Sequence, residues 1–283
     1  MTFQPEPGTL YLVGTPIGNR GDLSPRAKAV LEGVNVIAAE DTRETLNLLR
    51  AEGIDTPLVS HHAHNEAASA ARLVGRLQQG EAIALVSDAG MPAISDPGER
   101  LVREVAEAGL PMTAVPGPTA FVTALALSGL PTARFVFEGF LPREAKLRRR
   151  RLRALQGETR TMIFYEAPHR LLDTLQDMAG LFGPTRPAAA ARELTKRFEE
   201  VRRGSIGELE SHFATSAPRG EFVLVVGGGE PAAAEAASAA DWEAALSALL
   251  AEGVRPSEAA RQIAQSHGVA KKVAYDAAQR LRT

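Results

Sequence analysis

Short apolar runs separated by turns rich in glycine, proline and acidic residues recur along the first part of the chain. Thr9-Leu10-Tyr11-Leu12-Val13, Val34-Asn35-Val36-Ile37-Ala38-Ala39, a shorter run near Pro57-Leu58-Val59-Ser60, Ala82-Ile83-Ala84-Leu85-Val86 and Pro111-Met112-Thr113-Ala114-Val115 read as strands. Helical patterns alternate with them. Ser24 as N-cap with Pro25 after it opens one helix. Asn65 or Ser69 opens another, which carries Ala67, Ala71, Leu73, Val74 and Leu77, and two more run from about Glu99 to Ala108 and from Phe121 to Leu127. Repetition of strand, loop and helix predicts an α/β domain over residues 8–115, with a mainly parallel sheet covered by helices.

A second α/β domain is expected over residues 116–228. Its strand patterns are Phe135-Val136-Phe137-Glu138-Gly139-Phe140-Leu141-Pro142, Thr161-Met162-Ile163-Phe164-Tyr165, Ala188 to Ala191, and Phe222-Val223-Leu224-Val225-Val226. Gly227-Gly228-Gly229 and the alanine-rich Pro231 to Ala240 read as a linker over 229–240. The tail, 241–283, predicts three short amphipathic helices: Trp242 to Ala251, Pro256 to Ser266 and Ala270 to Leu281. The turn His267-Gly268-Val269, with Lys271, Lys272, Arg280 and Arg282 beyond it, gives a helix-turn-helix-like unit suited to substrate engagement. A three-helix oligomerisation module is the alternative.

Composition narrows the class. Over 283 residues, 45% are hydrophobic and 23% charged, which describes a folded chain with ample core. Cysteine is absent, which excludes disulfides, thiolate catalysis and cysteine-built zinc sites. The sequence shows neither a signal-peptide pattern nor an apolar run long enough for a membrane helix, so a cytoplasmic location is expected. A net charge of −2 restricts nucleic-acid binding to local patches. Arg143 to Arg153 is such a patch, with seven cations in eleven residues. It reads as a phosphate-contacting surface or as a solvated helix face.

The candidate chemistry gathers where strands end. Ser87-Asp88-Ala89-Gly90-Met91-Pro92-Ala93-Ile94-Ser95-Asp96-Pro97-Gly98 follows an apolar strand directly, and its prolines and glycines predict a rigid loop that offers backbone polar groups to a ligand. Gly14-Thr15-Pro16-Ile17-Gly18-Asn19 after the first strand, with Glu40-Asp41-Thr42-Arg43 after the second, suggests a dinucleotide site. The spacing is not G-x-G-x-x-G, however, and Pro16 supplies no N–H to a pyrophosphate. Arg43 is placed to orient an acidic ligand or to pair with Asp41. His61-His62-Ala63-His64 suggests a metal but lacks a zinc-site spacing, so no metal is expected.

Taken together and in order, seven phrases resemble the tetrapyrrole methylase superfamily, in the branch that methylates ribosomal RNA. They are Val13 to Asn19, Glu40 to Arg43, Ser87 to Gly98, Pro116 to Ala120, Phe137 to Pro142, Tyr165-Glu166-Ala167-Pro168-His169-Arg170 and Arg192-Glu193-Leu194-Thr195-Lys196. The resemblance implies a two-domain class III methyltransferase fold with S-adenosylmethionine as donor in a cleft between the domains. It further implies a homodimer, and methylation of a cytidine ribose 2′-hydroxyl in the decoding region of small-subunit ribosomal RNA, free or in the assembled 30S subunit.

It assigns donor contacts to Pro16, Asp88, Gly90, Ile94, Ser95, Thr119, Ala120, Leu141, Ala167, Leu194 and Pro218. A ribose hydroxyl is a poor nucleophile while protonated, so a base helps. Glu166, His64, Asp41 and Glu193 are the candidates, with Arg43, Arg192 and Lys196 as orienting or phosphate-binding cations. At least half of these are expected to sit in structural ion pairs instead. The rival readings are a tetrapyrrole methyltransferase, a dinucleotide-dependent oxidoreductase and a non-catalytic RNA-binding protein.

Overall fold

The computed structural model describes residues 4–229 and 239–281 of the chain. They form two compact units: one made of residues up to Gln156 with Arg160–Gly227, the other of Gly157–Thr159 with the chain from Gly228 onward. Of the linker expected over 229–240, residues 230–238 lie outside the described residues.

The first unit contains two five-stranded sheets. One is built from β1 (Leu10–Val13), β2 (Val36–Ala39), β3 (Leu58–Ser60), β4 (Ile83–Val86) and β5 (Met112–Val115), in the order β3-β2-β4-β1-β5. Every pairing in it is parallel. The helices between its strands are α1 (Pro25–Gly33), α2 (Thr42–Glu52), α3 (Glu66–Gln78) and α4 (Glu99–Glu107). They bury the sheet on both faces, which is why β2 and β4 read as unbroken apolar runs. Ser24 caps α1 through the Ala27 N–H, and the Glu66 side chain of α3 accepts from the backbone of Gly98 and Arg100 at the start of α4.

After α5 (Ala120–Ser128), the second sheet comprises β6 (Phe135–Phe140), β7 (Thr161–Glu166), β8 (Pro187–Arg192), β9 (Glu200–Ser205) and β10 (Phe222–Val226). Its order is β6-β7-β10-β8-β9, parallel only between β6 and β7. Helices α6 (Ala145–Ala154), α7 (Leu171–Phe182) and α8 (Ile206–Thr215) accompany it. Strand β9 and helix α8 are additions to the sequence reading. As an edge strand, Glu-Val-Arg-Arg-Gly-Ser buries no residue fully and shows no apolar alternation. The cue for α8 was the capping box Ser205…Glu208, which the structure forms in both directions.

The basic run requires a correction. It lies on α6, but three of the four arginines Arg148 to Arg151 are held by carboxylates. Arg148 is buried and meets Asp177 of α7 at 2.7 Å, Arg149 meets the other oxygen of Asp177 at 2.7 Å, and Arg151 pairs with Glu138 at 2.7 Å. Burial would raise the Asp177 carboxyl, but its hydrogen bonds from Arg149 and Arg148 outweigh that and hold it below the ordinary range. Arg143, Lys146, Arg150 and Arg153 are the exposed cations of the run that remain for a polyanion.

The second unit carries α9 (Ala239–Ala251), α10 (Pro256–His267) and α11 (Lys271–Arg280), packed around Trp242, Leu246, Ile263 and alanines of the last two helices. Gly268, in the left-handed conformation, makes the turn between α10 and α11.

Candidate functional site

The carboxyl ends of β1, β4 and β5 open into loops that meet one edge of the second sheet. The loops are tied together by backbone. Thr15 and Gly90 exchange N–H···O bonds at 2.9 and 3.1 Å, and the Thr15 hydroxyl donates to the Ser87 carbonyl. A Cβ on Gly14 would lie 2.7 Å from the Gly117 Cα, so the turns after β1 and β5 touch through glycine on both sides.

Between these loops and the second sheet lies a cavity of about 330 Å³. Its first wall is Ile17, Ala89, Gly90, Met91, Ile94 and Asp96, and Thr119 and Ala120 at the start of α5 adjoin it. The opposite wall comes from the end of β6 (Phe140), the end of β7 with the turn after it (Tyr165 to Pro168), the end of β8 with Glu193 and Leu194, and the start of β10 (Glu221 to Val223). Because β10 runs antiparallel to both β7 and β8, the ends of those two strands and the beginning of β10 share one edge.

The segments that carry both walls are strained. Ala93 and Ser95, beside Ile94 and Asp96, and Glu193 and Thr195, beside Leu194, hold φ between 49° and 67° without being glycine. Such backbone costs roughly 1–2 kcal/mol per residue and persists where the surroundings enforce it, commonly at binding sites.

The cavity brings together eight of the expected residues: Gly90, Ile94, Thr119, Ala120, Glu166, Ala167, Glu193 and Leu194. Pro16, Asp88, Ser95, Leu141 and Pro218 do not line it. Asp88 accepts the Asp41 backbone N–H at 2.9 Å and so ties two loops together, while Leu141 is buried in the core of the second sheet.

Most of the candidate bases and cations are committed elsewhere. Asp41 caps α2 through the Arg43 N–H and pairs with the Arg43 guanidinium at 2.7 Å, which holds its carboxyl down to about 2. Of the two readings left open for Arg43, the structure shows the pairing. Arg192 pairs with Glu200, and Lys196 with Glu193 and Glu221.

Glu166 borders the cavity but is spent. It accepts from the Thr174 hydroxyl at 2.6 Å and from the Ala167 N–H at 2.9 Å, with Arg170 at 3.4 Å. Burial acts to raise Glu193, yet the Glu221 N–H and Lys196 prevail and leave it a weaker base than an ordinary glutamate. His64 lies off the cavity in ring contact with His62, and His61 is fully buried.

Sequence reasoning passed over two residues. Tyr165 presents its ring to the cavity between Phe137 and Phe140, with its hydroxyl pushed up to about 12, chiefly by burial. Asp96 lies inside the central loop and lines the same cavity. Burial, then the charge of Glu40, pushes its carboxyl up to about 7, against a hydrogen bond from Ser87 and with a further rise from Asp88. Glu40 is itself raised by burial and by Asp88.

Among the described residues the cavity is lined by four carboxylates, Asp96, Glu166, Glu193 and Glu221, set in an apolar wall, and by no lysine, arginine or histidine. With Glu166 paired to Arg170, and Glu193 and Glu221 to Lys196, the lining is largely apolar and presents no cation to a ligand. It opposes the pyrophosphate of a dinucleotide, which needs N–H groups or cations.

The model of the tetrapyrrole (corrin/porphyrin) methylases matches residues 9–210. A ribosomal RNA small subunit methyltransferase I of Xylella fastidiosa is 50% identical over 278 residues, covering 95% of this chain and 98% of the relative. One of the same name from Pseudomonas aeruginosa is 48% identical, with 96% of each chain covered. Among solved structures, the fold is similar to that of a uroporphyrin-III C-methyltransferase from Thermus thermophilus complexed with S-adenyl homocysteine. The TM-score is 0.53 at 19% identity, over 77% of this chain and 97% of that one.

Proposed function

The chain belongs to the tetrapyrrole methylase family, and from that premise we propose that it transfers a methyl group from S-adenosylmethionine to small-subunit ribosomal RNA, at a cytidine ribose 2′-hydroxyl. The observation that carries the donor is the cavity itself, apolar with four carboxylates and no cation in its lining. S-adenosylmethionine brings an electrophilic methyl on a sulfonium and has no phosphate, so it needs no anion cradle. A preformed apolar pocket with a few placed polar groups is what such a ligand requires.

Gly90, Ile94, Thr119, Ala120, Ala167 and Leu194 are the residues that would hold it. Gly90 has φ +88° and a would-be Cβ 3.4 Å from the Pro118 carbonyl, so the loop approaches by backbone where a side chain would intrude. The substrate class is supported by the relatives, named for ribosomal RNA over nearly their full length. The exposed cations Arg143, Lys146, Arg150 and Arg153 on α6, and Lys271 and Lys272 on α11, provide phosphate contacts on a chain of net charge −2. A homodimer acting in the cytoplasm on that RNA, free or in the assembled 30S subunit, completes the proposal.

The test is incubation with labelled donor and three acceptors: isolated small subunits, free ribosomal RNA and a precorrin. Label recovered as 2′-O-methylcytidine is expected. Label in the tetrapyrrole alone overturns the substrate, and no label anywhere overturns methyl transfer.

A further inference from the structure

We propose that Arg197 and Phe198 form a platform on which an unpaired base of the substrate RNA stacks beside the cavity; this rests on the reading above, that RNA is the acceptor. The pair lies at the tip of the turn between β8 and β9, on the segment that brings Glu193 and Leu194 into the cavity wall. Phe198 is 66% exposed, the most exposed large apolar side chain among the described residues. It belongs to none of the apolar cores, so packing does not account for it. The Arg197 guanidinium lies over its ring, 5.6 Å from the centroid.

The tip is fixed by its own hydrogen bonds. The Lys196 N–H donates to the Glu193 carbonyl at 2.9 Å and the Glu199 N–H to the Lys196 carbonyl at 3.1 Å, which makes Arg197 and Phe198 the two central residues of a closed turn. The Glu199 carboxylate accepts the Thr195 N–H at 2.6 Å. Below the tip, Lys196 donates to Glu193 and Glu221, both in the cavity lining. An aromatic ring held out on a preformed turn loses little freedom when a ligand covers it.

Charge selects the occupant. Arg192 is paired with Glu200 and Lys196 with Glu193 and Glu221, whereas Arg197 has no ion pair among the described residues. The acids that follow it do not oppose an anion at the tip, because Glu199 is taken by the Thr195 N–H and Glu200 by Arg192. An exposed aromatic face beside an uncommitted guanidinium is the unit by which single-stranded nucleic acid is bound with little regard to sequence: the ring takes a base and the cation the adjoining phosphate. Placed on the cavity wall, it holds the strand where the acceptor ribose must enter.

The experiment compares the unmodified protein with Phe198→Ala, Phe198→Leu, Phe198→Trp and Arg197→Gln. Binding of a fluorescent single-stranded oligoribonucleotide is read by anisotropy across salt, methyl transfer to isolated small subunits by KM and saturated rate, donor affinity by calorimetry and mass by sedimentation. Phe198→Ala should bind the oligoribonucleotide roughly 10–100-fold more weakly and raise KM by a similar factor, with donor affinity unmoved. Tryptophan should restore binding and leucine should not, since leucine is apolar without a π-face. Arg197→Gln should lower the salt slope by ~0.7, the share of one single-stranded phosphate.

The proposal is overturned if the unmodified protein does not bind the oligoribonucleotide, if the alanine variant binds it equally well, or if leucine serves as well as tryptophan. An unchanged salt slope in Arg197→Gln overturns it too. So does a parallel loss of donor affinity in Phe198→Ala, which would make the tip a support of the cavity, or a change of sedimenting mass, which would give the ring to a second copy of the chain. If the alanine variant does not fold, the comparison of leucine with tryptophan and the Arg197 slope decide. Failure of the unmodified enzyme to methylate RNA refutes the substrate reading instead, while oligoribonucleotide binding still reports on the platform.

Discussion

Replacing Asp96 by asparagine should stabilise the donor-free protein, and the gain should depend on pH in one direction. In the folded chain the Asp96 carboxyl is pushed from its ordinary 3.8 to about 7, first by burial and then by Glu40. A carboxyl raised on folding binds its proton more tightly in the folded state than in the unfolded one. Its favourable contribution is therefore complete below the unfolded value, and is lost as pH rises to the folded value. At full shielding that interval is worth ~4 kcal/mol; for a side chain only half-buried, solvent screening reduces it to ~2 kcal/mol. Asparagine mimics the protonated acid at every pH. The variant should therefore gain ~2 kcal/mol above about pH 7, a fraction of that near pH 5, and nothing below about pH 4. Urea unfolding followed by far-ultraviolet circular dichroism is the suitable assay. The chain's one tryptophan, Trp242, lies in the helical tail, so its fluorescence reports on the other unit. A gain that is equal at acid and alkaline pH, or a loss at alkaline pH, would refute the account of Asp96 as a destabilised carboxylate.

Four further outcomes are expected from the same structure. Gly90→Val forces a β-branched residue to φ +88° with its Cβ against the Pro118 carbonyl. Calorimetry should show weaker donor affinity, because the added side chain intrudes on the cavity that Gly90 lines, and unchanged affinity in a folded variant would refute the assignment of Gly90 to the donor. Asp177→Ala leaves the buried Arg148 guanidinium without its partner and should cost ~3–5 kcal/mol in denaturant unfolding, with no direct effect on the cavity. Arg150→Gln with Arg153→Gln should lower the salt slope of RNA binding by ~1.4 if both meet single-stranded phosphates, whereas an unchanged slope assigns them to solvent. Removal of the tail from Ala239 onward, which has its own core, should leave donor affinity and the saturated single-turnover rate intact and weaken transfer at limiting RNA. A change of sedimenting mass would mark the tail as an oligomerisation element instead.

How far the sequence spoke depends on which physical signal each element carries. β2 and β4 were legible because a parallel strand covered on both faces is apolar at every position. β9 was not, because an edge strand needs only backbone partners, and its run Glu-Val-Arg-Arg-Gly-Ser carries no apolar alternation. The loop around Gly90 was legible through its prolines and glycines. Glu166 and Glu193 had the right residue types in the right places, yet their roles depend on Thr174 and on the Glu221 N–H, whose approach is set by tertiary packing. Likewise, seven cations in eleven residues signal a polyanion surface only until Asp177 and Glu138 are found beside three of them. Asp96 lies inside the same loop, Ser87 to Gly98. Its distinguishing property, a carboxyl confined with Glu40 and Asp88, exists only once β2 and β4 lie side by side.

The strain on the segments that carry the two walls and the acidity at the end of one of them have a common origin. Ala93 and Ser95 occupy left-handed backbone on the loop that delivers Asp96, and Glu193 and Thr195 do so on the segment opposite. Neither loop would hold that conformation by itself, since four such residues cost ~4–8 kcal/mol together. They are held by neighbours: Gly98 at the loop's end by Glu66, Gly90 by Thr15, Glu193 by Lys196 and the Glu221 N–H. The same ties that fix the backbone keep Asp96 close to Glu40 and Asp88, so its carboxyl cannot relax toward water and recover an ordinary acidity. Loosening one tie therefore tests the link. Glu66→Gln keeps the acceptor oxygen for the Gly98 N–H but removes the charge, whereas Glu66→Ala removes both. If strain and acidity are coupled, the alanine variant alone lowers the Asp96 titration toward the ordinary range in the carbon-13 spectrum and weakens donor binding with it. A carboxyl that titrates unchanged in the alanine variant would show that Glu40 and Asp88 suffice, and that the loop's strain serves only its shape.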